Sequence, residues 1–296
     1  MFFTTTTMEK KLFYNYFSTQ IDAFIDAALN EDIGEADHTS LSCLDNAKRS
    51  AAKLIVKEQG VIAGVELAEI IFKKVSPSIK FNVLINDGNY VNEGDIVFTV
   101  EGPQYDLLTT ERLVLNCMQR MSGIATLTKR LSEMIKHTNC TLLDTRKTTP
   151  NFRYPEKWAV TIGGGENHRF GLFDMLMIKD NHVDFNGSIS NTLKKTQAYL
   201  KDINRELKTI VEVRNLSEIE ECLAFPWIHR LLLDNMNPVE LKAAIGKIGG
   251  VFPTEASGNI TEESLVAVAE TGVDYASLGA LTHSAKNMDL SLKSMD

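Results

Sequence analysis

The densest run of chemically capable side chains lies between Asp144 and His182. It holds Arg146, Lys147, Arg153, Lys157, His168, Arg169, Lys179 and His182, interrupted by three glycines at 163 to 165. An arginine fork pairs with both oxygens of a carboxylate or phosphate, whereas lysine supplies a compact point charge. Several of each aimed into one cavity would hold a small polyanion. For any one of them alone, a solvated surface charge is the plainer explanation. Arg153 and Lys157 fit that explanation, since Lys157 falls on the helical segment PEKWAV. Arg146, Lys147 and Lys179 fit it less well. They follow apolar strand-like runs, where side chains turn toward a barrel mouth.

Two carboxylates complement these cations. Glu212 lies inside TIVEV and Asp234 ends RLLLD. A buried unpaired charge is costly, so each needs a partner. That partner is a hard cation such as magnesium shared with substrate oxygens, a set of sugar hydroxyls, or the basic cluster itself. Ser257, Gly258 and Asn259 precede the helical run TEESLVAVAE, and Gly279 and Ala280 form a second turn. Backbone N–H groups at a helix start bind anions, although most glycine-rich turns serve chain geometry alone. No HExxH, GxSxG or Walker motif occurs, GGGENH lacks the setting of a dinucleotide fingerprint, and the His168–His182 spacing fits no standard metal pair.

The elements that must position these groups follow from periodicity. CTLLDTRK, DMLMIKDN, TIVEV, RLLLDN, GVFPTEASGN and DYASLGALTH are strand-like runs, each with room for a helix after it. Parallel strands need such crossovers. Polar groups at the carboxyl ends of successive strands are the layout of an α/β barrel site, and six units predict an incomplete barrel. An open doubly wound sheet is the alternative. Upstream, Ser18 or Thr19 can cap a helix with apolar positions Ile21, Phe24, Ile25, Ala28 and Leu29. Residues 50 to 58, IKFNVLIN and DIVFTVEG read as strands. GVELAEIIFKKV reads as a helix with a stripe of Val65, Leu67, Ala68, Ile71 and Phe72. This part reads as an α+β sandwich. A long helix over Leu107 to Lys136 follows, with Gly123 as a possible break.

The chain has 296 residues, 44% of them hydrophobic, enough for a substantial core. Its net charge of -8 disfavours nucleic acid as a partner. Four scattered cysteines predict reduced thiols. No signal peptide or membrane span is evident, which predicts a soluble cytoplasmic protein. Met8 is a second candidate for the initiating residue.

The strings EDIGEADHTS, ERLVLNCMQRMSGIAT, DTRKTTPNFRYPEKWAV, GGGENHRFGLFDMLMIKDNHV, VEV, LLLDNM, EASGNI and SLGALTHSAKNMDLSL together resemble the quinolinate phosphoribosyltransferases, over nearly the whole chain from Ile21. The resemblance implies an incomplete six-stranded α/β barrel with an N-terminal α+β sandwich domain. The expected boundaries are 1–17 for an extension, 18–120 for the sandwich, with 285–296 packing back on it, and 121–284 for the catalytic barrel. It implies phosphoribosyl transfer from phosphoribosyl pyrophosphate to quinolinate with decarboxylation, Mg2+ as cofactor, and a homo-oligomer, at least a dimer, with shared sites. Arg112 would reach the neighbour's site. Thr145, Arg146, Lys147, His168, Arg169 and Lys179 would bind substrate. Glu212 and Asp234 would serve ribose and metal, and Ser257, Gly258, Asn259, Ser277 and Gly279 the phosphates. Lys147, Lys179, Glu212 and Asp234 would be catalytic. Ala36 and Asn151 depart from the family by standing where glycine is usual; asparagine tolerates a left-handed turn. A paralogue acting on another anionic base, or serving molybdenum uptake, is the closest rival. A non-catalytic sensor of phosphoribosyl compounds is the more distant one.

Overall fold

A computed structural model describes residues 13–45 and 48–295. The expectations about Met8 and the extension's first twelve residues lie outside them. In chain order the elements are α1 (Phe13–Ile33), α2 (His38–Cys43), β1 (Arg49–Val56), β2 (Gly60–Val61), α3 (Val65–Val75), β3 (Lys80–Val83), β4 (Tyr90–Val91), β5 (Ile96–Pro103) and α4 (Gln104–Met134). Then come β6 (Thr141–Leu143), α5 (Arg153–Ile162), β7 (Leu176–Ile178), α6 (Asp180–Asn186), α7 (Ile189–Asp202), β8 (Thr209–Val213) and α8 (Leu216–Leu223). The last are β9 (Arg230–Asp234), α9 (Pro238–Ile248), β10 (Thr254–Ser257), α10 (Glu262–Ala269), β11 (Tyr275–Ser277), α11 (Ala280–His283) and β12 (Leu290–Met295).

The packing divides the chain into two compact units, the first made of residues up to 129, 148–164 and from 281 on. Residues 148–164, which interrupt the second unit in the sequence, belong to the first. In this unit β12, β1, β5 and β3 form an antiparallel sheet in that order. Helix α3 buries Val65, Leu67, Ala68, Ile71 and Phe72, the stripe its periodicity predicts. Helix α1 differs from expectation. One helical stretch is already present at Phe13, Phe17 is non-helical (φ -123°), and a second stretch runs on from Ser18; Phe13, Phe17, Ile21 and Ile25 are buried. The Phe13 ring stacks on Trp158 at 5.3 Å, and this aromatic anchor extends the helix past the predicted cap.

Two further expectations fail here for physical reasons. Gly123 does not break α4, which runs through it. A Cβ at this position would collide with the Lys286 carbonyl, so the glycine serves a close backbone approach. Lys157 is not a solvated surface charge but fully buried, as is its neighbour Glu156, whose Oε1 accepts a hydrogen bond from Arg120 Nε at 2.9 Å. Arg153 is half-buried, its Nε donating to Thr148 Oγ1 at 2.9 Å.

The second unit holds residues 130–147 and 165–280. All six predicted strands join one parallel sheet, ordered β6-β11-β10-β9-β8-β7. From β7 to β11 each strand lies beside its successor, with no reversal of order inside the sheet, which sets aside the doubly wound alternative. The two edges are linked by one segment. Glu166 N–H donates to Leu142 O at 2.9 Å on the free side of β6, and Leu176 starts β7, whose other neighbour is β8. The chain thus spans from one edge to the other within about ten residues, as an incomplete barrel requires. Every residue of β8 is buried, so this strand sits in the core.

Candidate active site

Most of the predicted residues lie at the carboxyl ends of the barrel strands; Arg112 lies on α4, and His168 and Arg169 lie in the segment before β7. After β6, Asp144 is fully buried. Its Oδ1 accepts the backbone N–H of His168 at 2.9 Å, and its Oδ2 accepts Asn167 Nδ2 at 2.6 Å. Asp144 therefore pins the segment that carries Arg169. Thr145 Oγ1 accepts the Lys147 N–H at 3.0 Å and shapes the turn that presents Arg146 and Lys147. Asn151 adopts φ 61°, the left-handed conformation expected of a residue standing in for glycine.

Arg146 and Arg169 stand close enough to repel. Burial first, and then the Arg146 charge, hold the Arg169 guanidinium below its ordinary pKa. Arg146 Nε is buried and makes no hydrogen bond among the described residues. A pair of like charges with an unused donor is a site shaped for an anion, because only an anion relieves both the repulsion and the unmet donor. His168 is 7% exposed and turns both ring nitrogens to the protein. Its Nδ1 accepts the Arg169 N–H at 2.7 Å, and Nε2 lies 3.5 Å from Glu255 Oε2.

Lys179 is the cap residue just before α6, and His182 Nδ1 accepts the Lys179 N–H at 2.9 Å, a capping contact that orients the residue. Lys179 Nζ lies 3.5 Å from Glu212 Oε2. Burial raises the Glu212 pKa, Lys179 opposes the rise, and Asp234 adds to it. Asp234 is steadied by Asn235, whose Nδ2 donates to Asp234 Oδ2 at 2.8 Å and whose Oδ1 accepts Asn259 Nδ2 at 3.0 Å. Asn235 and Asn259 have φ of 53° and 51°, and Gly258 has φ 94° with no room for a Cβ against the Asn235 side chain. The turns after β9 and β10 therefore interlock. Ser277 Oγ donates to Ala256 O at 3.4 Å on the adjacent strand, and Gly279 lies between β11 and the one-turn helix α11. Arg112 is exposed on α4 in the first unit.

Four residues of this site had no assigned role in the sequence. Asp144 and His182 lay within the basic cluster, Asn235 followed Asp234, and Glu255 lay inside a strand run. Fully buried Glu255 is paired with Arg230, whose Nη1 donates to its Oε2 at 2.9 Å. Burial pushes the Glu255 carboxyl up, and His168 and Arg230 overcome this, holding it down at about 2. Among the described residues no group of three or more His, Cys, Asp or Glu side chains could hold a metal ion by itself. Glu212 and Asp234 are a pair, a hard-oxygen donor set that suits magnesium when substrate oxygens complete it. A separate apolar cavity, lined by Leu44, Ala52, Leu107, Leu108 and Leu292, lies in the first unit and includes none of these groups.

Two family models match, the quinolinate phosphoribosyl transferase N-terminal domain over residues 37–122 and the C-terminal domain over 124–293. The chain belongs to the quinolinate phosphoribosyltransferase family. A chloroplastic nicotinate-nucleotide pyrophosphorylase [carboxylating] of Oryza sativa subsp. japonica is 44% identical over 288 residues, 92% of this chain and 77% of the relative. A quinolinate phosphoribosyltransferase [decarboxylating] of Nicotiana tabacum is 44% identical over 284 residues, 91% of this chain and 81% of the relative. Among solved structures, NadC from Streptococcus pyogenes superposes with a TM-score of 0.87 at 37% identity, covering 94% of this chain and 98% of that one. The fold here is a mixed α/β one built on a parallel six-stranded sheet. No helix among the described residues is long and apolar enough to cross a membrane.

Proposed function

We infer that this chain transfers a phosphoribosyl group from phosphoribosyl pyrophosphate to quinolinate, with loss of carbon dioxide, to give nicotinate mononucleotide and pyrophosphate for NAD biosynthesis. The observation that carries this reading is the Arg146–Arg169 pair with its unused buried donor, on a chain whose residues 37–122 and 124–293 are matched by the two family domains. A pyridine dicarboxylate supplies the two anionic groups that such a pair lacks.

The pyridine nitrogen is itself the nucleophile, so no activated serine or cysteine is needed. The residues have to bind, align and shield. Arg146 and Arg169 grip carboxylate oxygens, and Lys147 adds charge at the same turn. Lys179, beside Glu212, is placed to offset negative charge as pyrophosphate leaves the anomeric carbon. Glu212 and Asp234 accept from ribose hydroxyls and would hold a magnesium ion, which when bound neutralises pyrophosphate charge. The turns at Ser257, Gly258 and Asn259 and at Ser277 and Gly279 offer backbone N–H groups to phosphate oxygens. After ribosylation the ring nitrogen carries positive charge. It stabilises the carbanion left when the adjacent carboxylate departs as carbon dioxide, and the protein's part is to fix geometry and exclude water.

The active unit in this reading is a homodimer or larger oligomer, with Arg112 delivered to the neighbour's site; its exposure on α4 supports that role. In the same reading the chain works in the cytoplasm, where its four cysteines would stay reduced. Incubation with quinolinate, phosphoribosyl pyrophosphate and magnesium, read by mass spectrometry, should show nicotinate mononucleotide and stoichiometric carbon dioxide. Product from nicotinate but not quinolinate would replace this reading with the paralogue, and binding without turnover with the sensor.

A further inference from the structure

We propose that Glu255 is a positioning residue for the quinolinate reaction, with Arg230 as its counter-ion, and that it holds the Arg169 guanidinium in place through His168. The inference rests on the function proposed above and adds residues outside the predicted site. Glu255 lies in β10, in register between Leu232 of β9 and Tyr275 of β11. It is fully buried, and Arg230, at the start of β9, is 4% exposed. Arg230 reaches Glu255 Oε2 at 2.9 Å and lies over the Tyr275 ring at 3.9 Å from its centroid, so the counter-ion is fixed from two sides.

The connection to Arg169 runs through the imidazole. His168 Nδ1 accepts the Arg169 N–H, so in the neutral ring the proton resides on Nε2, the nitrogen 3.5 Å from Glu255. Glu255 thereby selects both the tautomer and the ring orientation that the Arg169 backbone needs. Asp144 holds the His168 N–H from the other side at 2.9 Å. This double fixing has a purpose at this place. Arg169 stands beside Arg146, and two neighbouring cations separate unless their backbones are held. A buried ion pair is a poor means of adding stability, because well-packed apolar side chains do as well or better. What a carboxylate adds over an apolar residue is direction, and the direction here ends at Arg169.

The test compares Glu255→Gln, Glu255→Asp and the double variant Glu255→Gln/Arg230→Gln, with melting temperature measured beside steady-state kinetics. Glu255→Gln should raise KM for quinolinate at least tenfold while changing KM for phosphoribosyl pyrophosphate less than twofold. Glu255→Asp, which keeps the charge, should recover part of that loss. The double variant leaves no unpaired buried cation, so its melting temperature should return toward wild type while its quinolinate KM stays high. If Glu255→Gln alone is too unstable to assay, the double variant carries the same comparison. A quinolinate KM within twofold of wild type in a folded variant, or one that recovers in step with the melting temperature, would overturn the proposal. Wild-type protein without nicotinate mononucleotide synthesis would instead defeat the function on which it rests.

Discussion

Asp144 holds the backbone N–H of His168 at 2.9 Å, across 24 residues of sequence, and so fastens the segment bearing Arg169 to the end of β6. The same carboxylate takes Asn167 Nδ2 at 2.6 Å. A buried acceptor holding these donors cannot be replaced by a group that is itself half donor. Asp144→Asn should therefore lose about 1–3 kcal/mol of stability, seen as a lower denaturation midpoint in urea. Its quinolinate KM should rise with it, because the segment that carries Arg169 loosens. An unchanged midpoint would show that the bond does not fasten the segment.

Arg169→Ala and Lys179→Ala remove one partner from a charged contact each. Such losses cost about 2–5 kcal/mol, so kcat/KM should fall by roughly thirty-fold to several thousand-fold. Arg169→Ala should act mainly on quinolinate and Lys179→Ala mainly on phosphoribosyl pyrophosphate. Near-normal kcat/KM in both variants would refute the assignment of the pocket.

Arg112→Ala and Arg169→Ala chains should each be inactive alone and regain activity when mixed. In a mixed oligomer one site receives an intact Arg112 from one chain and an intact Arg169 from the other. No recovery despite demonstrated subunit exchange would count against a shared site.

Glu66 and Asp87 predict a pH effect on stability apart from the reaction. Asp87 caps α3 by accepting the Val65 and Glu66 N–H groups at 2.9 and 3.2 Å. Burial pushes Asp87 to about 6, against those hydrogen bonds. Burial, then Asp87 and Glu69, push Glu66 to about 7. Both folded values lie above the ordinary carboxylate range, so the folded chain keeps protons that the unfolded chain releases. Stability then falls as pH rises from about 4 to about 7 and levels off above that. Glu66→Gln should melt higher than wild type at pH 8, with the difference shrinking toward pH 5. A difference that grew on acidification would reverse the sign and defeat the account.

Gly123→Ala sets two effects against each other. Alanine favours a helix by about 1 kcal/mol over glycine. Its Cβ would strike the Lys286 carbonyl, and overpacking typically costs about 1–3 kcal/mol. Backbone cannot move aside as a flexible side chain can, so the collision should win and the melting temperature should drop. A rise would mean that the 286 segment yields easily.

Much of the molecule was legible before its structure. The six barrel strands, the α3 stripe and the left-handed Asn151 depend on local patterns, alternation, periodicity and turn chemistry, which act between near neighbours. Gly123 was misread because its neighbour comes from a distant segment, and Lys157 because its burial is decided by tertiary packing. Propensity treats glycine as a helix breaker, and it cannot see Lys286 arriving from 163 residues away. The start of α1 was missed for a similar reason, since Phe13 is held by Trp158.

By itself the sequence determined that cations and two carboxylates end successive strands, because polarity and strand period are written in the order of residues. It could not decide which of them touch. Glu255 finds Arg230 across 25 positions and His168 lies beside both. Those meetings follow from strand order, register and the side of the pleat each residue faces, and all three are settled only when the sheet assembles.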